Sequence, residues 1–336
     1  MKRKLLRITA IVIGFLVVGI AILLIYVKVA LPNVGPAPDI KVSSTPETVE
    51  RGKYLANHVM VCMDCHGSRD WSRFSGPMKV GFEGAGGEVF DKRFGFPGVF
   101  TAKNITPFNL ANWTDGEIFR TITTGVNKNG KALFPVMPYK NYALLDEEDI
   151  KAVVAYIRTL PSIESHPAES KVDFPMNFIL NTIPSKANLS KRPLSFDVVA
   201  YGKYMATASN CIECHTNQLN GKFIGEKFAG GREFPVGNGN IVRSMNITPD
   251  PSGIGNWTKE QFINRFKMYT DSAYELPKVD LVKGDLQSMM PWTMFSGMTR
   301  EDLGAIYEYL RTVPPINSKV VRYTVGSKKE LSKLGK

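Results

Sequence analysis

All four cysteines of this 336-residue chain fall in two copies of one pentapeptide, Cys62-Met63-Asp64-Cys65-His66 and Cys211-Ile212-Glu213-Cys214-His215. A Cys-x-x-Cys pair can close a disulfide in an exported protein, act as a redox-active dithiol, or supply two thiolates to structural zinc. The histidine directly after each pair separates these readings. Cys-x-x-Cys-His is the attachment signature of c-type haem. The two thiols add to the two vinyl groups of one haem, and the short helix they define turns the next imidazole towards the iron. The two motifs use every cysteine and two of the four histidines. The sequence thus predicts two covalently bound haem c groups on Cys62, Cys65, Cys211 and Cys214, with His66 and His215 as iron ligands.

The motifs sit inside a larger internal repeat. Gly52-Lys53-Tyr54 precedes the first and Gly202-Lys203-Tyr204 the second. Ala85-Gly86-Gly87 matches Ala229-Gly230-Gly231, and Asn104-Ile105-Thr106-Pro107 matches Asn246-Ile247-Thr248-Pro249. Asn112-Trp113-Thr114 matches Asn256-Trp257-Thr258, Met137-Pro138-Tyr139 matches Met290-Pro291-Trp292, and Tyr156-Ile157-Arg158-Thr159 matches Tyr309-Leu310-Arg311-Thr312. The order is identical, so the chain holds a duplicated domain, with an insertion around residues 273–284 of the second copy. The Asn-x-Thr triplets fall in matched pairs within the repeat, which favours a structural role over glycosylation.

Each copy reads as helical. Thr114 with Glu117 and Thr258 with Gln261 form capping boxes. The helix after Asp146 keeps Ile150, Val153, Val154 and Ile157 on one face. Thr299 starts its counterpart, and Pro161 and Pro314 end both. The Gly-rich stretches between attachment motif and Trp are expected to be irregular loops.

The iron's other face decides between electron transfer and catalysis. No cysteine is left over. His58 lies one helical turn before Cys62 and reads as a packing or surface histidine. His166 lies between the repeats and is a minor candidate ligand. Of the 13 methionines, position and duplication pick out Met137 and Met290. Each is followed by Pro and an aromatic residue just before the last helix of its copy, and Met289 is the nearest competitor. A thioether is a soft, neutral ligand that favours ferrous iron and raises the potential.

Residues 8–27 carry no charge and follow Lys2, Arg3, Lys4 and Arg7. A helix of that length crosses a hydrocarbon core of about 30 Å. The stretch reads as an uncleaved anchor, with a cleaved signal peptide as the alternative. The basic amino end is expected to stay in the cytoplasm, placing the rest outside. The formal charge of +11 reflects both termini in part, Lys328, Lys329, Lys333 and Lys336 among them. No basic helix or aromatic-basic interleaving suggests nucleic-acid binding.

In the order of these elements the chain resembles the cytochrome c subunits of bacterial membrane-bound quinoprotein and flavoprotein dehydrogenases acting on alcohols, aldehydes or gluconate. The resemblance covers residues 48–315. It implies an all-α chain of two tandem class I cytochrome c domains after an N-terminal transmembrane helix, with Met137 and Met290 as axial ligands. Many such subunits carry three haem segments, often with membrane attachment at the carboxyl end, whereas this chain has two motifs and an amino-terminal apolar stretch.

The expected map is an anchor at 1–30, a tether at 31–47, cytochrome c domains at 48–162 and 196–316 separated by 163–195, and a basic tail at 317–336. The expected role is a periplasmic electron carrier rather than an enzyme. It would connect a dehydrogenase or quinol-oxidising complex to an oxidase or soluble cytochrome at the bacterial cytoplasmic membrane. The alternative is a dihaem peroxidase or other dihaem oxidoreductase with one open iron site.

Overall fold

The computed structural model describes residues 2–270 and 274–326; Ala273 at the head of the expected insertion, and the four lysines of the tail, lie outside this range. The first element is a 28-residue helix, Lys2–Val29, with no buried residue. At 1.5 Å per residue it is long enough, and apolar enough, to cross a bilayer.

The expected tether has no regular structure between residue 31 and Thr45, yet it is not free. The Val42 amide donates to Asp115 Oδ2 at 2.8 Å, and Ile40 and Val42 pack on the core. A Cβ at Gly116 would collide with the Pro38 carbonyl. Gly116 is therefore where the segment after the N-terminal helix crosses the first domain.

Each repeat is built on a crossing of its first and last helices. In the first, Pro46–Tyr54 continues through a π-helical turn, Leu55–Val59, and crosses Glu147–Thr159. In the second, Val198–Ala208 crosses Arg300–Thr312. The duplicated Gly-Lys-Tyr explains the close approach. A Cβ at Gly52 would meet the Ala152 carbonyl, and one at Gly202 would meet the Ala305 carbonyl. Both capping boxes form as the sequence predicts, on helices Asp115–Thr124 and Lys259–Lys267. Asp146 and Thr299 cap the two final helices.

The buried side chains form one cluster that runs through both domains, from Leu55, Val59 and Ile150 to Met205, Met298 and Leu310. At the boundary the two copies exchange equivalent hydrogen bonds. Tyr54 donates its hydroxyl to Asp302 of the second domain, and Tyr204 donates to Asp149 of the first at 2.7 Å. Each hydroxyl also accepts from the backbone where the partner's last helix begins, Tyr54 from Thr299 and Tyr204 from Asp146, both at 3.1 Å. The contact has an approximate two-fold relation between residues that match in the repeat.

The chain is mainly helical but not all-α. The Gly-rich stretches expected to be irregular carry short antiparallel strands. In the first copy β1 (Val89–Phe90) pairs with β2 (Gly98–Thr101), which pairs with β3 (Lys171–Val172). The second has a small hairpin, β4 (Gln218–Leu219) and β5 (Lys222–Phe223), then β6 (Glu233–Gly237), β7 (Asn240–Arg243) and β8 (Tyr323–Thr324). Aromatic and β-branched residues between glycines suit such pairing. The third strand of each main sheet comes from beyond the last helix of its copy, so residues 163–195 and 317–326 are partly folded onto the domains they follow.

Candidate functional site

Each pentapeptide forms a single helical turn, Cys62–His66 and Cys211–His215. The chain enters both turns through a left-handed residue, Val61 at φ 47° and Asn210 at φ 56°. That conformation is uncommon for a non-glycine residue and costly for a β-branched one such as Val61. Its occurrence at the same place in both copies shows that the turn is redirected there for a reason.

The two histidine rings have the same partner type. His66 Nδ1 lies 2.7 Å from the Lys103 carbonyl, and His215 Nδ1 lies 2.7 Å from the Met245 carbonyl. A carbonyl only accepts, so each ring carries its proton on Nδ1 and keeps the Nε2 lone pair free. Burial lowers the pKa of both rings, despite the opposing pull of the carbonyls, and so favours the neutral form. A neutral imidazole oriented through its other nitrogen is the form that binds a metal.

Two duplicated motifs build this arrangement. Gly86 donates its amide to the His66 carbonyl at 3.0 Å, and Gly230 donates to His215 at 2.8 Å. Both glycines have φ +74°, and a Cβ on either would strike the backbone at 102–104 or 244–246. They let the segment carrying the acceptor carbonyl lie against the attachment turn. The next residue, Asn104 or Asn246, locks that segment. Asn104 Oδ1 accepts from the Thr106 amide and hydroxyl at 2.8 and 2.7 Å. Asn246 does the same for Thr248 at 2.9 and 2.8 Å. Both asparagines are buried, which removes them as glycosylation acceptors.

Met137 and Met290 are half-buried and pack on the same apolar cluster as Cys62 and Cys211; Met289 is not part of it. In each loop the aromatic amide donates back to the methionine carbonyl at 2.8 Å, Tyr139 to Met137 and Trp292 to Met290. The same two aromatic residues each bury a polar atom without a partner, the Tyr139 hydroxyl and Trp292 Nε1. Buried donors are normally satisfied. Matched orphans beside matched methionines fit a bound group that brings its own acceptor oxygens, as the haem carboxylates do. The remaining histidines lie elsewhere. His58 Nδ1 sits 3.0 Å from the Met294 carbonyl at the domain boundary. His166 is 76% exposed, edge-on to Phe108.

The four cysteines form no disulfide with one another. Burial pushes Cys62 and Cys211 up to about 12, the reverse of the depressed thiol of a reactive dithiol. Among the described residues no three His, Cys, Asp or Glu side chains converge as a metal cluster. In the first motif Asp64 is paired at 2.9 Å with Arg69, a buried arginine stacked on Trp71. Sequence reasoning missed this pair, and also the acceptor carbonyls of Lys103 and Met245. The carbonyls did leave a signal, since both residues directly precede the duplicated Asn-Ile-Thr-Pro.

A cytochrome c family model matches residues 199–314, and the model for cytochrome c oxidase, cbb3-type, subunit III matches residues 47–157. The chain is 24% identical over 294 residues to the cytochrome c subunit of a quinone alcohol dehydrogenase from Gluconacetobacter polyoxogenes, covering 82% of this chain and 58% of the relative. It is 26% identical over 296 residues to the fructose dehydrogenase cytochrome subunit of Gluconobacter japonicus, covering 83% and 55%. A diheme cytochrome c-type protein of Cereibacter sphaeroides is 27% identical over 267 residues, covering 76% and 82%. The chain thus spans a little over half the length of the dehydrogenase subunits it matches. Two cytochrome c domains, each with its own Cys-x-x-Cys-His turn, account for two covalently bound haem c groups in this chain.

Proposed function

We propose that the chain is a membrane-anchored electron carrier in which Cys62 and Cys65 hold one haem and Cys211 and Cys214 the other. Its functional units are residues 48–162 and 196–316. In this reading His66 and Met137 complete the coordination of the first iron, and His215 and Met290 that of the second. The iron of each haem supplies a one-electron couple when bound. The protein's own groups do the rest. The Lys103 and Met245 carbonyls hold each imidazole with Nε2 free, and the prolines after Met137 and Met290 restrict the ligand loops. Tyr139 and Trp292 would donate to haem carboxylates.

The observation that supports this reading is the duplication, in both copies, of a carbonyl-oriented histidine and of a Met-Pro-aromatic loop that packs on the same apolar cluster as the first cysteine of its motif. Coordination filled on both faces needs little rearrangement on gaining an electron and offers no position to substrate. We further infer that the helix Lys2–Val29 stays in the bacterial cytoplasmic membrane with the haem domains on the periplasmic side. Electrons would enter from a dehydrogenase or quinol-oxidising complex and leave to an oxidase or soluble cytochrome. The similarity to dehydrogenase cytochrome subunits supports a dehydrogenase as donor.

The test is absorption and magnetic circular dichroism of the purified dihaem protein. The oxidised wild type is expected to be low-spin, with sulfur-to-iron charge-transfer intensity from both haems. Met137→Ala and Met290→Ala should each remove about half of it. High-spin iron in the wild type that binds peroxide readily would instead favour an oxidoreductase with an open site.

A further inference from the structure

The loop after the first attachment turn, residues 68–79, does not stay with its own domain. Ser75 is fully buried and left-handed, with φ 65°. Its hydroxyl donates to the Met290 carbonyl at 2.6 Å and accepts the Trp292 amide at 3.0 Å. Its amide donates to Gln287 Oε1 at 2.7 Å. Gln287, 2% exposed, reaches back to the carbonyls of Trp71 and Arg73 at 3.2 and 3.1 Å. Ser288, whose amide also bonds Gln287 Oε1 at 2.8 Å, accepts the Met290 amide on its hydroxyl at 3.2 Å. A residue of the first domain thus grips the backbone at Met290 and Trp292 together with the side chain of Gln287.

The grip continues to the first haem site. Arg69 donates to the Ser75 carbonyl at 2.6 Å and to the Gly76 carbonyl at 2.8 Å. Its third bond, at 2.9 Å, goes to Asp64 inside the first attachment motif. Five residues (Asp64, Arg69, Ser75, Gln287 and Met290) therefore form one hydrogen-bonded path from one motif to the methionine of the other domain. Among the described residues the second copy has no equivalent. Its loop is the exposed hairpin β4–β5, with Leu219 and Phe223 in solvent. Among the described residues no side chain of the second domain bonds the Met137 backbone.

We propose that Ser75 is a positioning residue for Met290, so that the first domain holds the iron ligand of the second while Met137 is held by its own domain alone. The proposal rests on the reading of Met290 as a ligand. A buried network with all members satisfied is stiff, and removing one member leaves the others without partners. Ser75 would keep the sulfur from leaving the oxidised iron.

The test uses the full-length, detergent-solubilised protein with both haems. Ser75→Ala and Ser75→Gly both remove the hydroxyl, and glycine also suits the left-handed backbone, which protects folding. Cyanide serves as the competing ligand for oxidised iron. Both variants are expected to bind it roughly tenfold faster at the second haem, the effect of one lost buried hydrogen bond, and to leave the first haem unchanged. In a Met137→Ala background the remaining charge-transfer band, which reports Met290 alone, should weaken. A lower thermal midpoint with cyanide rate and band unchanged in both variants would overturn the proposal and leave Ser75 a structural residue. If Met290→Ala in that same Met137→Ala background retains the band, the ligand assignment itself fails, whatever Ser75 does.

Discussion

The two halves of this molecule share a plan and differ at its edges, and the differences fall where each half meets something outside itself. The helix crossings at Gly52 and Gly202, the glycines under the attachment turns and the Asn-Thr locks are the same in both copies. These elements hold the haem sites, which both copies need. The boundary carboxylates are not the same. Asp149 takes a bidentate contact from Arg51 at 3.0 and 2.9 Å and a further bond from Arg192 at 2.6 Å. Its counterpart Asp302 is met by the hydroxyls of Tyr54 and Tyr201, and no ion pair to it is found among the described residues. Position 51 in the first copy corresponds to Tyr201 in the second, so where the first copy has an ion pair the second has a hydroxyl contact.

The largest effect expected from this contrast is on stability. Asp149 is 3% exposed, and Asp149→Ala would strand two arginines and the Tyr204 hydroxyl. Discounting for the partial exposure of both arginines, a loss of about 2–3 kcal/mol is expected. Asp302→Ala strands two tyrosine hydroxyls and is expected to cost about 1–2 kcal/mol. Guanidinium unfolding of the dihaem protein, followed by haem absorbance, measures both. Equal losses would mean that the boundary depends on shape and the shared tyrosines rather than on charge.

The sequence exposes the shared plan because each shared element is local and written twice. A glycine that must touch a carbonyl, or an asparagine that ties the threonine two residues on, leaves the same word in both copies. What it conceals is whatever depends on the other domain. Tyr54 and Asp302 lie 248 positions apart, and nothing near either announces the other. Ser75 occurs in a single loop with no duplicate to mark it. The acceptor carbonyls of Lys103 and Met245 are backbone groups, so residue type says nothing of them. The strands escaped notice because several are two residues long, too short for an alternating pattern to show.

A second contrast isolates the tether. Gly116 and Glu260 occupy the same place in the two capping boxes. The first lies under the Pro38 carbonyl, and the second faces solvent, paired with Arg300. Gly116→Ala is expected to cost about 1–3 kcal/mol through overpacking and to free residues 31–45 for faster limited proteolysis. Glu260→Ala removes one surface ion pair and is expected to stay within about 0.5 kcal/mol. If Gly116→Ala leaves proteolysis unchanged, the tether is held by Val42 and Asp115 rather than by the close crossing.

The smallest effect concerns His58, which only the first copy places at the boundary. Burial, reinforced by the charges of Lys267 and Lys53 and opposed by the Met294 carbonyl, lowers its pKa below the ordinary 6.5. The folded protein therefore binds its proton less readily than the unfolded chain does. The His58 contribution is complete above about pH 6.5 and is lost as pH falls towards the lowered value, because the unfolded state takes up the proton first. From about pH 7.5 to about pH 5.5 the wild type should lose more stability than His58→Gln, by less than about 1 kcal/mol. Unfolding midpoints of both proteins across that range give the comparison. Parallel curves would show that the ring is free to take a proton where it stands, and that the packing between Met294 and the first domain does not depend on its neutrality.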